Sequence, residues 1–218
     1  MFTNREEAGY LLADKLINYS NNKNAVIVTI PRGGVPIGYI IAKKLQLPLE
    51  LVLSKKIGHP INKEYAIGAV TLTNSIINEG ILGVSETYIK EETEQIRAVL
   101  KQRYKWYYGT KKPLNLANKI VIIVDDGVAT GSTLLSSIKL IQLQQPSEII
   151  VALPVASPSA LKKIKDVPIV TNTICLHVPK YFQAVGQFYN EFDQVNDKEV
   201  LQLLKAANDA YLHNYSDV

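Results

Sequence analysis

Five β-branched residues, Ile120 to Val124, run directly into Asp125-Asp-Gly-Val-Ala-Thr-Gly-Ser-Thr133, and this junction constrains the chain more than any other feature. A short, wholly apolar run suits a strand covered on both faces, as in a parallel sheet between helix layers. Leu134, Leu135, Ile138 and Ile141 then recur at helical spacing, so the acidic, glycine-rich loop lies where a strand ends and a helix begins. Free N–H groups and the positive end of the helix dipole favour an anion there, and Gly127 and Gly131 let the backbone approach it closely. Thr130, Ser132 and Thr133 add hydroxyl donors. Asp125 and Asp126 would repel a bare phosphate, so a ligand suited to the whole loop carries something else as well. Adjacent sugar hydroxyls fit, because two ionised carboxylates can accept from a diol or orient the waters of a divalent metal. The Walker pattern is not met, since Ser132 follows Gly131 with no lysine between them. A merely capped strand-to-helix turn would explain a lone Asp-Gly, but not the whole constellation.

The same arrangement occurs upstream. Val26 to Ile30 is a second apolar run, followed by Pro31-Arg-Gly-Gly34 and an apolar, helix-like stretch from Val35 to Leu45. Arg32, a fork of donors beside exposed backbone, suits a second polyanion. A third strand, Leu49 to Leu53, delivers Ser54-Lys-Lys-Ile-Gly-His-Pro60, whose Lys55 and Lys56 can neutralise phosphate. From His59 to Val70 the chain reads as a flap that returns as a strand, with Glu64 a candidate acid; closing such a flap would keep water from a reacting centre. Runs at Glu148 to Pro154 and Val167 to Thr171 complete five strands separated mostly by helices. This alternation predicts an α/β fold with a central five-stranded, mainly parallel sheet flanked by helices and ligands at the carboxyl ends of the strands.

Between Ser85 and Tyr108, apolar positions at three-and-four spacing predict a long amphipathic helix, stopped by Gly109 and Pro113. Tyr104, Trp106, Tyr107 and Tyr108 at its end either pack or stack on an aromatic ligand. Asn196 with Glu199 predicts a capped final helix bearing Val200, Leu203, Leu204, Ala207 and Tyr211 on one side.

The stretch Val124 to Thr133 resembles the phosphoribosyl pyrophosphate (PRPP) motif of type I phosphoribosyltransferases. Nearly the full chain is similar to a bacterial group of predicted phosphoribosyltransferases with no assigned acceptor. The similarity runs through Pro31-Arg-Gly-Gly-Val-Pro-Ile37, Lys56-Ile-Gly-His-Pro60, Glu64-Tyr-Ala-Ile-Gly-Ala-Val70 and Phe182-Gln-Ala-Val-Gly-Gln-Phe-Tyr-Asn-Glu-Phe-Asp193. The resemblance implies a type I phosphoribosyltransferase fold in a single domain, 1–218, with a small hood and tail at about 174–218. It implies that Asp125 and Asp126 hold the ribose hydroxyls and reach Mg²⁺ through water. Gly127, Val128, Ala129, Thr130, Gly131, Ser132 and Thr133 would complete the PRPP grip, the stretch from Ala129 wrapping the 5-phosphate. Arg32, Gly33, Gly34, Lys55 and Lys56 would take the pyrophosphate, with Lys56 favoured over Lys55, and Arg32 and Lys56 would join the aspartates in the catalytic set. That family often carries a cis peptide in its pyrophosphate loop, which places one at Pro31–Arg32. Phe182, Val185 and Phe188 would face the acceptor. Two positions depart from the hypoxanthine–guanine branch: Ala129 stands where that branch has an aspartate proposed as proton acceptor, and Phe188 where its tail has a base-reading carboxylate. Other branches also have alanine at the first of these.

With 218 residues, 47% of them hydrophobic, the chain can bury one full core, and no segment reads as a linker or repeat. Arg5, Glu6 and Glu7 before an amphipathic run to Tyr19 are wrong for a signal peptide, and no apolar stretch is long enough to span a bilayer, so a cytoplasmic protein without a membrane partner is expected. Cys175 is the only cysteine, and His59, His177 and His213 are scattered, so neither a disulfide nor a zinc cage is expected. A net charge of +4, dispersed along the chain, suits polyanionic small ligands and does not indicate a nucleic-acid surface. The reading that unites these features is a Mg²⁺-dependent transferase moving the 5-phosphoribosyl group from PRPP to a nitrogenous, nucleobase-like acceptor. Its alternatives are a non-catalytic PRPP- or nucleotide-binding regulator and a binding module of a larger assembly, and a homodimer stays open.

Overall fold

The structure, a computed structural model, describes residues 1–215 apart from 64, 79 and 82, and the side chains of 213–215 are likewise not described; Glu64 and the His213 imidazole therefore lie outside the described residues. In chain order the elements are α1 (Arg5–Lys15), β1 (Ala25–Thr29), α2 (Gly34–Leu45), β2 (Leu49–Leu51), β3 (Lys55–Gly58), β4 (Ala66–Val70), β5 (Ser75–Ile77), α3 (Glu86–Tyr108), β6 (Ile120–Val124), α4 (Ser132–Gln142), β7 (Glu148–Val155), α5 (Pro158–Lys165), β8 (Val170–His177) and α6 (Asp197–Tyr215). Among the described residues no helix is long and apolar enough to cross a membrane.

The apolar runs become strands with both faces covered. The main sheet has the order β2-β1-β6-β7-β8, with every pair parallel. Alternate residues feed two cores: Ile27, Ile122, Val124, Ile150 and Ala152 pack with α1, α2 and α6, whereas Val26, Val28, Val121, Ile123, Ile149 and Val151 pack with α4 and α5. The chain leaves β1 in one direction to β2 and later returns on its other side as β6. Winding reverses at that point, and a doubly wound sheet opens a crevice there at the carboxyl ends of the strands.

Two expectations are corrected. The strand expected at Val167 to Thr171 lies at Val170–His177, so residues 174–177 belong to the sheet rather than to a hood. As an edge strand it is only partly covered, and it accommodates Thr171, Asn172 and Thr173, which broke the apolar run. Lys55 and Lys56, expected at the end of the third strand, lie in a strand of their own, β3, part of a separate antiparallel sheet, β3-β4-β5, in which Lys56 pairs with Ala69 and Val70 with Ser75.

α3 stops at Gly109 as expected, at φ 62°, and its start is capped by Ser85, whose Oγ accepts from the Tyr88 N–H at 3.2 Å. Its terminal aromatics pack. Tyr108 donates to the buried carboxylate of Glu50 and accepts from the Leu51 N–H at 2.8 Å, Tyr104 stacks on Tyr108 at 4.4 Å, and Tyr107 donates to Asp197. Trp106 is left half exposed.

Glu50 also accepts from the N–H groups of Leu51 at 3.1 Å and Leu114 at 3.0 Å. Burial nevertheless pushes it above the usual carboxylate range, with those bonds and Tyr108 opposing. A carboxyl raised by folding contributes stability that is whole below its unfolded pKa and is lost as pH rises through the folded value. Melts taken from about pH 4 upward are expected to show wild type losing stability faster than Glu50→Gln; parallel curves would remove Glu50 as a cause.

α2 lies unusually close to the sheet. A Cβ on Gly38 would stand 2.0 Å from Thr29 Cγ2, inside a buried contact. Gly38→Ala should therefore cost about 1–3 kcal/mol by overpacking, outweighing the gain of about 1 kcal/mol in helix propensity. A lower melting temperature is the expected reading, and Thr29→Ser, which deletes the offending methyl, should restore most of it in the double variant.

Candidate functional site

β1 and β6 end side by side, Thr29 opposite Val124, and the Ile30 N–H donates to the Val124 carbonyl at 3.2 Å. Each strand then feeds a loop and a helix at the point where the winding reverses. After β1 comes the cis peptide Pro31–Arg32, as expected, and α2 begins at Gly34. After β6 come Asp125 and Asp126, then a backbone tied to the end of β7: the Val128 N–H donates to the Val155 carbonyl at 3.0 Å, and the Ser157 N–H to the Val128 carbonyl at 2.9 Å. Ser157 Oγ donates to the Ala129 carbonyl at 2.6 Å while capping α5. Gly131, at φ 82°, turns the chain into α4, with Thr130 Oγ1 and Ser132 Oγ 3.3 Å apart at the helix start.

The two loops touch. A Cβ on Gly33 would lie 2.0 Å from Asp126 Oδ2, and one on Gly34 would lie 2.8 Å from the Val124 carbonyl oxygen. Only backbone separates the Arg32 loop from the paired aspartates. Asp125 Oδ1 accepts from the Asp126 N–H at 2.9 Å. Burial pushes the Asp125 carboxyl well above the usual range, and the neighbouring Asp126 charge adds to this. Burial raises Asp126 as well, but the hydrogen bonds and charge of Arg5 oppose it.

Arg5 was absent from the sequence reading of the site. From the first turn of α1 it donates to Asp126 Oδ2 through Nε at 3.0 Å and Nη2 at 2.8 Å, through Nη1 to the Asp193 carbonyl at 2.8 Å, and it lies 3.8 Å over the Phe192 ring. Its side chain is 11% exposed and that of Asp126 14%. Tyr189 was also missed as a contact: its hydroxyl donates to the Asp126 carbonyl at 2.6 Å. A contact across 121 residues leaves no local pattern, although an arginine in the first turn of a helix opposes the dipole and is a signal in itself.

The remaining candidates divide. Arg32 is partly exposed, with Nη1 3.9 Å from Asp197 Oδ2. Lys55 and Lys56 line a recess between β3 and α3 together with Lys63 and Glu92. Val185 is brought onto the loop after β6, where its Cγ1 would be 2.6 Å from a Cβ on Gly127. Phe188 is buried, its ring 5.1 Å from Phe182 and 5.5 Å from His177, so it packs the segment beneath the partly exposed Phe182.

Comparison with known proteins bears on this geometry. Residues 4–186 match the phosphoribosyl transferase domain family. A protein of Mycobacterium tuberculosis H37Rv, provisionally named a phosphoribosyl transferase, is 30% identical over 214 residues, covering 95% of this chain and 47% of its own length. The chain thus spans about half the length of the curated relatives it matches first. A uracil phosphoribosyltransferase of Mycoplasma genitalium is 41% identical over 84 residues, 38% of this chain and 37% of that protein. The crystal structure of TT1426 from Thermus thermophilus superposes with a TM-score of 0.82 at 33% identity, covering 93% of this chain and 97% of that one.

Proposed function

The chain belongs to the phosphoribosyl transferase domain family, and from that premise we propose that it transfers the 5-phosphoribosyl group of PRPP to a nitrogenous acceptor in the cytoplasm. The observation that carries this reading is the meeting of the Arg32 loop and the Asp125–Asp126 loop, Gly33 against Asp126, at the reversal of strand order. That contact supports the reading because it brings the loop suited to pyrophosphate beside the loop suited to a sugar diol and its phosphate, the two halves of PRPP.

In the reaction the bond from the anomeric carbon to pyrophosphate breaks, its electron pair leaves with the pyrophosphate, and an acceptor nitrogen bonds to that carbon. Positive charge develops on the sugar, so the protein's task is placement and charge stabilisation more than proton transfer. Asp125 and Asp126 accept from the ribose hydroxyls and favour that charge. Gly127 to Thr133 hold the 5-phosphate with N–H and hydroxyl donors at the start of α4. Arg32 and the backbone of Gly33 and Gly34 stabilise the leaving pyrophosphate, with Lys55 and Lys56 supplying further positive charge. Val185 and Phe182 flank the acceptor. Among the described residues no three carboxylate, histidine or cysteine side chains form a metal cage. The aspartate pair fits Mg²⁺ in the mode that keeps most of its waters and takes phosphate oxygens as ligands. Bound with PRPP, Mg²⁺ would neutralise charge on the pyrophosphate.

A PRPP-binding regulator is the second reading, favoured by Ala129 and Phe188, which stand where the hypoxanthine–guanine branch has carboxylates. Calorimetry with PRPP and Mg²⁺ tests the common premise: binding by wild type, lost in the Asp125→Asn/Asp126→Asn double variant, is expected. Pyrophosphate release across a panel of nucleobases, uracil first given the Mycoplasma relative, separates the two readings. Release with any acceptor supports the transferase, binding without release the regulator, and absence of binding sinks both.

A further inference from the structure

Arg5 stands apart from the groups that the transfer chemistry requires, yet hydrogen bonds to Asp126 and Asp193 and a ring contact with Phe192 hold it at the site. The first residues of the chain and the segment before α6 form one unit. The Phe2 N–H donates to the Phe188 carbonyl at 2.8 Å, and the N–H groups of Asn190 and Glu191 donate to the carbonyls of Phe2 and Thr3, both at 2.9 Å. The rings of Phe2 and Tyr189 lie 5.4 Å apart, and Tyr189 stacks on Phe192 at 5.0 Å. This unit holds Asp126 at two points, the carboxylate through Arg5 and the carbonyl through Tyr189.

All three guanidinium nitrogens are engaged. Two N–H groups converge on Asp126 Oδ2, the third nitrogen donates to the Asp193 carbonyl, and the face of the ion lies over Phe192. Both bonds fall on one oxygen, so the fork fixes the carboxylate's rotamer without using Oδ1. Stability of α1 does not account for an arginine here, since a cation at a helix start opposes the dipole. A carboxylate pinned on one oxygen presents the other in a single direction, which is how a site is organised before its ligand arrives.

We propose that Arg5 is a positioning residue for the sugar: it holds Asp126 so that the carboxylate meets the ribose hydroxyls without reorganisation, and it makes the segment 188–193 part of the donor site. The proposal rests on the reading of the site as one for PRPP. Arg5 as a competitor for the carboxylate makes the opposite prediction, because its removal would then tighten binding.

The test is the Kd for PRPP with Mg²⁺, by calorimetry, for wild type, Arg5→Ala and Arg5→Lys, each checked by thermal melting. Loss of a charged, bidentate contact should raise Kd roughly tenfold or more in Arg5→Ala. Arg5→Lys should bind nearly as poorly, because a point charge cannot reproduce the fork. Millimolar guanidinium chloride, far below denaturing concentrations, should restore part of the binding to Arg5→Ala and none to Arg5→Ala/Asp126→Asn; a merely structural arginine would give no such rescue. Unchanged or tighter binding in Arg5→Ala with wild type binding normally overturns the proposal alone. Failure of wild type to bind overturns the PRPP reading and this proposal with it. Should Arg5→Ala not fold, Arg5→Lys decides, and wild-type affinity in that variant counts against positioning.

Discussion

Gly33→Ala is expected to lower PRPP-dependent turnover by about 100-fold or more in a protein that still folds. Gly33 has φ −61° and ψ −33°, a conformation alanine adopts freely at the start of a helix, so the backbone raises no objection. Contact does. The new Cβ would lie 2.0 Å from Asp126 Oδ2 and 2.6 Å from its Cγ, distances at which one group must move. Asp126 cannot swing away without breaking the two bonds to Arg5. The alternative is a shift of the Arg32 loop, which carries the donors proposed for pyrophosphate. Either movement displaces one half of the donor site from the other by a sizeable fraction of an ångström, enough for losses of the stated size. Steady-state kinetics with the best acceptor, alongside a melt, measures it. Turnover within about twofold of wild type would show that the two loops are not coupled as argued, the expected misplacement cost being far larger.

How much of this was legible in the sequence depends on what each element buries. β1 and β6 are covered on both faces, so their apolar residues are contiguous and their loops follow at once; Asp125 and Arg32 could be placed from the chain alone, whereas the cis bond came only from the family resemblance. β8 is a partly exposed edge, so Thr171, Asn172 and Thr173 hid half of it. β3 and β5 are short and partly exposed, with too few residues to establish a period. Aromatic spacing could not say whether Phe188 meets a ligand or the core, because both uses reward the same apolar surface; in the structure it is buried against Phe182 and His177. Arg5 was the largest omission. Its role arises from the return of residues 188–193 to the amino-terminal segment, a tertiary event with no local pattern.

The second large effect concerns Asp125, where function and stability should oppose one another. Asp125→Asn is expected to melt higher than wild type without ligand and lower than wild type with saturating PRPP and Mg²⁺. The side chain is buried beside a second carboxylate, and burial followed by the Asp126 charge drives its pKa well above the ordinary range. Asparagine has nearly the same shape, keeps an oxygen to accept the Asp126 N–H and carries no charge to desolvate. Removing such a functional liability commonly yields about 0.5–2 kcal/mol, or about 2–4 °C per kcal/mol in a chain of this size. The sign with pH follows from the raised value. Asp125 contributes stability that is whole below its unfolded pKa and is lost as pH rises through the folded one, so the variant's advantage should be absent in acid and grow toward neutrality. Ligand reverses the order. PRPP at a hundred times its Kd would add about 2.7 kcal/mol to a protein that binds it and nothing to one that has lost a ribose acceptor. The order of the two melts is therefore expected to reverse on adding PRPP and Mg²⁺; a variant that stayed higher with ligand would mean that Asp125 is not a ligand-binding group, and one that was lower without ligand would remove the cost of its buried charge.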